Sequence, residues 1–254
     1  MLPVFVTSRT GEFRLFHQWW NEGFRFGLIT IPHKRPDPAV SLNHARAFAG
    51  FPGRKYLDNG IFQGVRMSIE ELFHYASTVV KADFVFIPDV FGDANATLAR
   101  AEDALKVLPR WGNGVKPVAI AQGQNADEYM YCARELLGMG YTHLAVGGLL
   151  REVPGGEEVT AGPLRKIDEP LMWEVLRRVR NELDPPWLHV LGALHHERVA
   201  RFEALGVTSA DSKQWARGYT HLPAYKHGLA GRMRLLDAYV RQFYFARQGV
   251  LPLS

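Results

Sequence analysis

Five short apolar runs in this chain end on residues able to do chemistry. They end on Asp58, within Tyr56-Leu57-Asp58-Asn59-Gly60-Ile61-Phe62-Gln63-Gly64, on Asp89 after Pro88, on Gln122 before Gly123, on Gly147-Gly148 and on Asp211. Two or three carboxylates with an amide and a glycine-rich wall suit glycosyl transfer. One carboxylate attacks an anomeric carbon, and another handles the proton of the departing or arriving group. A planar base would be read by the Gln122 amide, a carboxylate and backbone groups exposed at glycines, which offer donors and acceptors in one plane.

These run ends meet only if the chain places them on one face. Eight apolar, β-rich runs are predicted as strands, at residues 3–7, 26–31, 55–58, 84–87, 117–121, 143–146, 188–191 and 207–210. They are nearly continuous in apolar residues, as a parallel sheet covered by helices requires. Helical segments lie between the later ones. Ser68 and Glu71 match a capping box, and Asp93 and Asn125 are further N-caps. The fold class this predicts is α/β, a (β/α)8 TIM-type barrel spanning residues 1–254 as one domain, with its catalytic face at the strand C-termini. A doubly wound open sheet is the alternative, but Ser8-Arg9-Thr10-Gly11 lacks the glycine spacing of a phosphate-binding turn. Residues 11–24 read as an irregular first helix, residues 32–53 as a long proline-containing connection, and residues 149–169 as a lid or binding segment. Residues 232–248 read as a helix closing the barrel.

A chain of 254 residues that is 47% hydrophobic buries one large core. A single cysteine, Cys132, excludes an internal disulfide or a thiolate zinc cluster and reads as an inert core residue. No apolar run is long enough to cross a membrane, and the N-terminus reads as a first strand, so a soluble, cytoplasmic protein without a membrane partner is expected. The net charge of +4 allows an anionic partner without requiring one.

The order of these motifs resembles the tRNA-guanine transglycosylase superfamily, which includes the DNA 7-deazaguanine transglycosylases. The Asp-Ser-Gly-Gly-Phe-Gln motif of that family is similar to Asp58-Asn59-Gly60-Ile61-Phe62-Gln63. Its Val-Gln-Gly resembles Ala121-Gln122-Gly123, its Gly-Gly-Leu resembles Gly147-Gly148-Leu149, and its Met-Gly-Val-Gly is echoed by Leu191-Gly192-Ala193-Leu194. Gly206-Val207-Thr208-Ser209-Ala210-Asp211 resembles the stretch carrying the nucleophilic aspartate, and the match spans about residues 56 to 217. The resemblance implies a double displacement without a cofactor. Asp211 attacks C1′ of a guanosine unit, Asp58 is general base for an incoming 7-deazaguanine base such as preQ0, and Asp89, Gln122, Gly147, Gly148 and Phe62 bind the base. The implied partners are DNA, or tRNA, and the free base, with a homodimer or an accessory protein left open. The single cysteine departs from the Cys-x-Cys-x-x-Cys and His zinc site of the tRNA enzymes, and the chain ends soon after its barrel, which favours a DNA-acting member without structural zinc. Ile61 replaces the second glycine of the first motif.

Plainer readings compete. Asp58 opens an Asp-Asn-Gly turn, Asp89 follows a proline, Asp211 could cap a helix, and the glycines could serve packing alone. His189, His195 and His196 raise a metal-dependent hydrolase, but no His-x-His pair sits on an early strand, and His195-His196-Glu197 reads as the first turn of a helix. Arg198 and Arg201 read as its solvated face. Lys213, Arg217, Lys226 and Arg232, with Trp215, Tyr219 and Tyr225 among them, form a basic, aromatic region suited to the phosphates and bases of a nucleic acid. A barrel that binds nucleic acid without turnover remains the alternative from another class.

Overall fold

The computed structural model describes residues 1–8, 10–32, 38–61, 64–111, 114–152, 165–212, 237–238 and 240–241. All eight predicted strands form. They are β1 (Leu2–Val6), β2 (Gly27–Thr30), β3 (Arg54–Leu57), β4 (Phe84–Phe86), β5 (Lys116–Ala121), β6 (His143–Val146), β9 (Trp187–Val190) and β10 (Ser209–Ser212). β7 (Leu150–Glu152) and β8 (Arg165–Ile167) form a separate two-stranded antiparallel sheet. The eight close into a parallel barrel in the order β1-β10-β9-β6-β5-β4-β3-β2. Helices α1 (Phe13–Asn21), α2 (Pro38–Ala49), α3 (Ile69–His74), α4 (Ala94–Trp111), α5 (Ala126–Gly138), α6 (Glu169–Arg178) and α7 (Val199–Ala204) alternate with them. This is the (β/α)8 architecture.

The continuous apolar character of the strands has two destinations. Alternate residues face inward, and Val4, Ile29, Tyr56, Phe84, Phe86, Val118, Ile120, Ala145 and Trp187 fill the barrel. Part of that filling is an aromatic stack, with Tyr56 against Phe84 at 4.8 Å and Phe84 against Trp187 at 5.2 Å between ring centroids. The outward residues, such as Leu28, Leu57, Val85 and Leu188, pack with the helices in the larger outer cluster, which also contains Cys132. Among the described residues no helix is long and apolar enough to cross a membrane.

Local chemistry sets the helix starts. Ser68 and Glu71 form the reciprocal capping box before α3, and Asn125 caps α5 by accepting from Glu128 N–H. Asp93 accepts from Ala96 N–H at 2.9 Å. In α1, Phe13, Phe16 and Trp19 face the core, and Trp19 Nε1 donates to Asp237 at 2.6 Å. Asp237, Ala238, Val240 and Arg241 are helical, while the rest of the predicted closing helix lies outside the described residues.

Two expectations are corrected, at residues 32–53 and at the last strand. The connection 32–53 contains α2, started by Pro38 at a position where its missing N–H costs nothing. The ends of the 149–169 segment pair as β7 and β8, and residues 153–164 of the expected lid or binding segment lie outside the described residues. The last strand begins two residues later than predicted, because Gly206 N–H and Val207 N–H still bond back to Glu203 and Phe202 carbonyls of α7. Asp211 therefore sits within β10 rather than after it.

The α7–β10 turn is tied down by Arg180. Its guanidinium donates to the carbonyls of Leu205 (3.2 Å), Pro185 (2.9 Å) and Gly206 (2.7 Å). Arg180→Ala is expected to lower stability by about 1–3 kcal/mol, read as a shifted denaturant midpoint with an unchanged slope.

Candidate active site

The polar run ends converge at the C-terminal face of the barrel in two groups. On the first side, Asp89 follows β4, Gln122 follows β5 and Asn59 follows β3, and all three are buried. Gln122 Nε2 donates to Asp89 Oδ2 at 2.5 Å, and Asn59 Nδ2 donates to Asp89 Oδ1 at 3.1 Å. Gln122 is oriented by Gly92 N–H, which donates to its Oε1 at 3.3 Å. Arg100 Nη1 donates to the Asp89 carbonyl at 2.7 Å. Each Asp89 oxygen thus accepts one side-chain amide N–H, and a backbone N–H also favours the ionised carboxyl.

Gly147 and Gly148 form the wall behind Gln122. Gly148 has φ +69, and a Cβ there would overlap Gln122 Oε1, so a side chain is excluded by both conformation and space. The Gly147 carbonyl accepts from Tyr129 OH at 2.8 Å, which anchors the wall to α5. Asp58, directly after β3, is half-buried, and its Oδ1 accepts from Gly60 N–H at 3.3 Å. Gly60 has φ +72 and lies against Val65, which fixes that turn as glycine-dependent. A cavity of about 680 Å³ opens beside Asn59, lined also by Ile61, Arg66, Met67, Pro88 and Arg100.

The second group lies on β9 and β10, with β10 four strands round the barrel from β4. Strand alternation puts Ser209 and Asp211 on the interior face, beside His189 of β9. His189 is fully buried, with Nδ1 2.8 Å from Ser209 Oγ and Nε2 3.1 Å from Asp211 Oδ1. Gly192 N–H donates to the same Oδ1 at 3.0 Å. Oδ2 makes no hydrogen bond among the described residues, and Asp211 is 6% exposed.

Burial pushes the Asp89 carboxyl above its ordinary value of 3.8, and the amide donors of Gln122 and Asn59 work against that shift. Below that ordinary value the carboxyl is neutral in the folded and unfolded chains alike. Between it and the raised folded value the native state holds the extra proton, so the group's contribution to stability is lost as pH rises. Asp89→Asn removes the titration. Its unfolding free energy relative to wild type is expected to improve as pH climbs from about 4 and then level off; parallel pH curves in denaturant titrations would contradict it.

The structure therefore groups Asp89 with Gln122, Gly147 and Gly148, and places Asp58 on the adjoining turn and Asp211 opposite. Phe62, Lys213, Arg217, Lys226, Arg232, Trp215, Tyr219 and Tyr225 lie outside the described residues. Arg198 corrects the solvated-face expectation: it donates to the Ala193 carbonyl at 2.9 Å and pairs with Glu169 at 2.5 Å. Arg201 is exposed and lies over Trp173 at 4.1 Å. Asn59, Ser209 and Gly192 are site residues beyond those expected from sequence, and His189 enters the site as a hydrogen-bond partner of Asp211 rather than as a metal ligand. His189 and Ser209 share inward parity with Trp187 and Asp211 on their own strands, but parity does not pair them; the β9–β10 register does. Asn59 carries no signal beyond its turn.

No protein-family model matches this chain, and no curated protein matches it. The site must be judged on its own chemistry. Its two halves offer a buried hydrogen-bonded cluster of Asp89, Gln122 and Asn59 beside a cavity, and a carboxylate with one oxygen held by two donors. Separately, His195, His196 and Glu197 bring three ligand atoms within 4.8 Å of one another at the start of the segment leading into α7.

Proposed function

We propose that this barrel is a nucleic-acid guanine transglycosylase, exchanging guanine for a 7-deazaguanine base through an aspartyl-glycosyl intermediate. The observation that carries the reading is the pairing of the buried Asp89–Gln122–Asn59 cluster with Asp211 across the same barrel mouth. A guanine-type base presents N–H groups and a carbonyl along one edge, and a carboxylate beside an amide, as at Asp89 and Gln122, is the complementary set of acceptors and donors. Asp211 Oδ2 attacks C1′, and guanine leaves from the sugar. Asp58 gives a proton to the departing base and later takes one from N9 of the incoming base. The polymer backbone stays intact.

DNA is the preferred substrate, because one cysteine cannot build the thiolate zinc site associated with the tRNA enzymes. Arg66 and Arg100 on the wall of the adjoining cavity suit a phosphate-bearing substrate. The target nucleotide has to be extruded from its stack to reach a barrel mouth. Incubation with radiolabelled guanine and either DNA or tRNA tests the reading. Label entering DNA supports it, label entering tRNA keeps the mechanism and changes the polymer, and label entering neither, with salt-sensitive binding retained, favours a non-catalytic nucleic-acid-binding barrel.

One observation favours a second reading, a metal-dependent hydrolase: the His195, His196 and Glu197 group. Against it, His195 Nδ1 already meets Glu197 at 3.3 Å, and Glu197 is exposed. Stoichiometric bound metal with hydrolysis abolished by chelator would favour this reading over base exchange.

A further inference from the structure

We infer that His189 is a positioning residue for Asp211, dividing the carboxylate into a held oxygen, Oδ1, and an attacking oxygen, Oδ2. The inference rests on the base-exchange reading. A carboxylate only accepts, so the His189 nitrogen 3.1 Å from Oδ1 carries the proton. In the neutral ring, Nδ1 then accepts from the Ser209 hydroxyl 2.8 Å away, and that hydroxyl selects the tautomer. Ser209 is itself fully buried.

The ring has little freedom to turn. It is stacked on Trp187 at 5.7 Å and 7° and packed against Phe86 at 5.1 Å and Tyr56 at 5.8 Å. The Tyr56 hydroxyl is buried without a hydrogen bond among the described residues, yet Ser209 lies near enough to oppose the burial that pushes its pKa up to about 12. The aromatic floor of the barrel therefore fixes the imidazole, and the imidazole with Gly192 N–H fixes the plane of the carboxylate. Orientation of this kind lowers the barrier because the reacting oxygen is already aimed.

The electron balance follows. The Oδ2 lone pair forms the bond to C1′ as the C1′–N9 bond breaks, its pair leaving on guanine, which is protonated through Asp58. In the return half, N9–H of the new base gives its proton to Asp58, N9 bonds to C1′, and the C1′–Oδ2 pair returns to Asp211. The two N–H donors on Oδ1 stabilise the carboxylate as it forms again and departs.

The test compares wild type, His189→Phe, His189→Gln and Ser209→Ala in guanine exchange, with kcat, KM for the base and thermal unfolding measured for each. Phe keeps the ring and removes the donor, whereas the Gln amide N–H reaches the place of Nε2. His189→Phe is expected to lower kcat about 10–100-fold with KM within about 2-fold, His189→Gln to recover most of it, and Ser209→Ala to lower kcat about 2–10-fold. Wild-type kcat in His189→Phe, or a loss His189→Gln does not relieve, overturns the role. If His189→Phe does not fold, Ser209→Ala decides: a kcat loss at constant KM supports the role and an unchanged kcat overturns it. A wild-type protein that exchanges no base in DNA or tRNA would instead overturn the base-exchange reading itself.

Discussion

Asp211→Asn is expected to abolish base exchange, lowering kcat on the order of 10⁴-fold or more, while unfolding within about 1 kcal/mol of wild type. The side chain keeps its size, and the Asn carbonyl still accepts from His189 and Gly192 N–H, which at present hold Oδ1. What disappears is the negative charge and the nucleophilic lone pair of Oδ2. No glycosyl ester forms on an amide, so a denaturing gel of the variant with labelled polymer should show no covalent adduct where the wild type does. Exchange retained at more than a few per cent of the wild-type rate would remove Asp211 as nucleophile, and a collapsed melting transition would make it a fold residue first.

The second large effect is expected from Gly148→Ala. A residue with a side chain held at φ +69 costs about 1–3 kcal/mol, and the new Cβ would occupy the place of Gln122 Oε1. Gln122 must then swing away, losing the Gly92 N–H bond and its donation to Asp89. Asp89 would remain buried with the Asn59 amide as its side-chain donor. Base affinity is expected to fall about 10-fold or more, read by calorimetry with free guanine, alongside a lower melting temperature. Gln122→Ala separates the two causes, since it removes the amide without backbone strain. Equal base affinity in Gly148→Ala and wild type would show that the Asp89–Gln122 pair does not read the base.

Much of the architecture was legible in the residues. Eight continuous apolar runs needed both faces covered, which a parallel barrel provides. The caps at Ser68, Asp93 and Asn125 are local hydrogen bonds, so their sequence signals carried over unchanged. The 32–53 connection was misread because α2 has a weak apolar stripe, and its prolines looked like loop signals although one of them opens the helix.

The site was legible as types and positions but not as partnerships. Asp58, Asp89, Gln122, Gly147, Gly148 and Asp211 were visible because each ends an apolar run, and run ends of parallel strands share one face. Sequence alone determined the barrel, the face and the residues on it. Tertiary structure decided that Asn59 and Gln122 share Asp89, that Gly148 must lack a side chain because Gln122 fills its space, and that His189 and Gly192 hold one oxygen of Asp211. The reason is physical: run ends follow from local hydrophobic pattern, whereas a hydrogen bond between residues 22 or 33 positions apart depends on strand order and on the register that sets Ser209 beside His189, neither of which a local pattern contains.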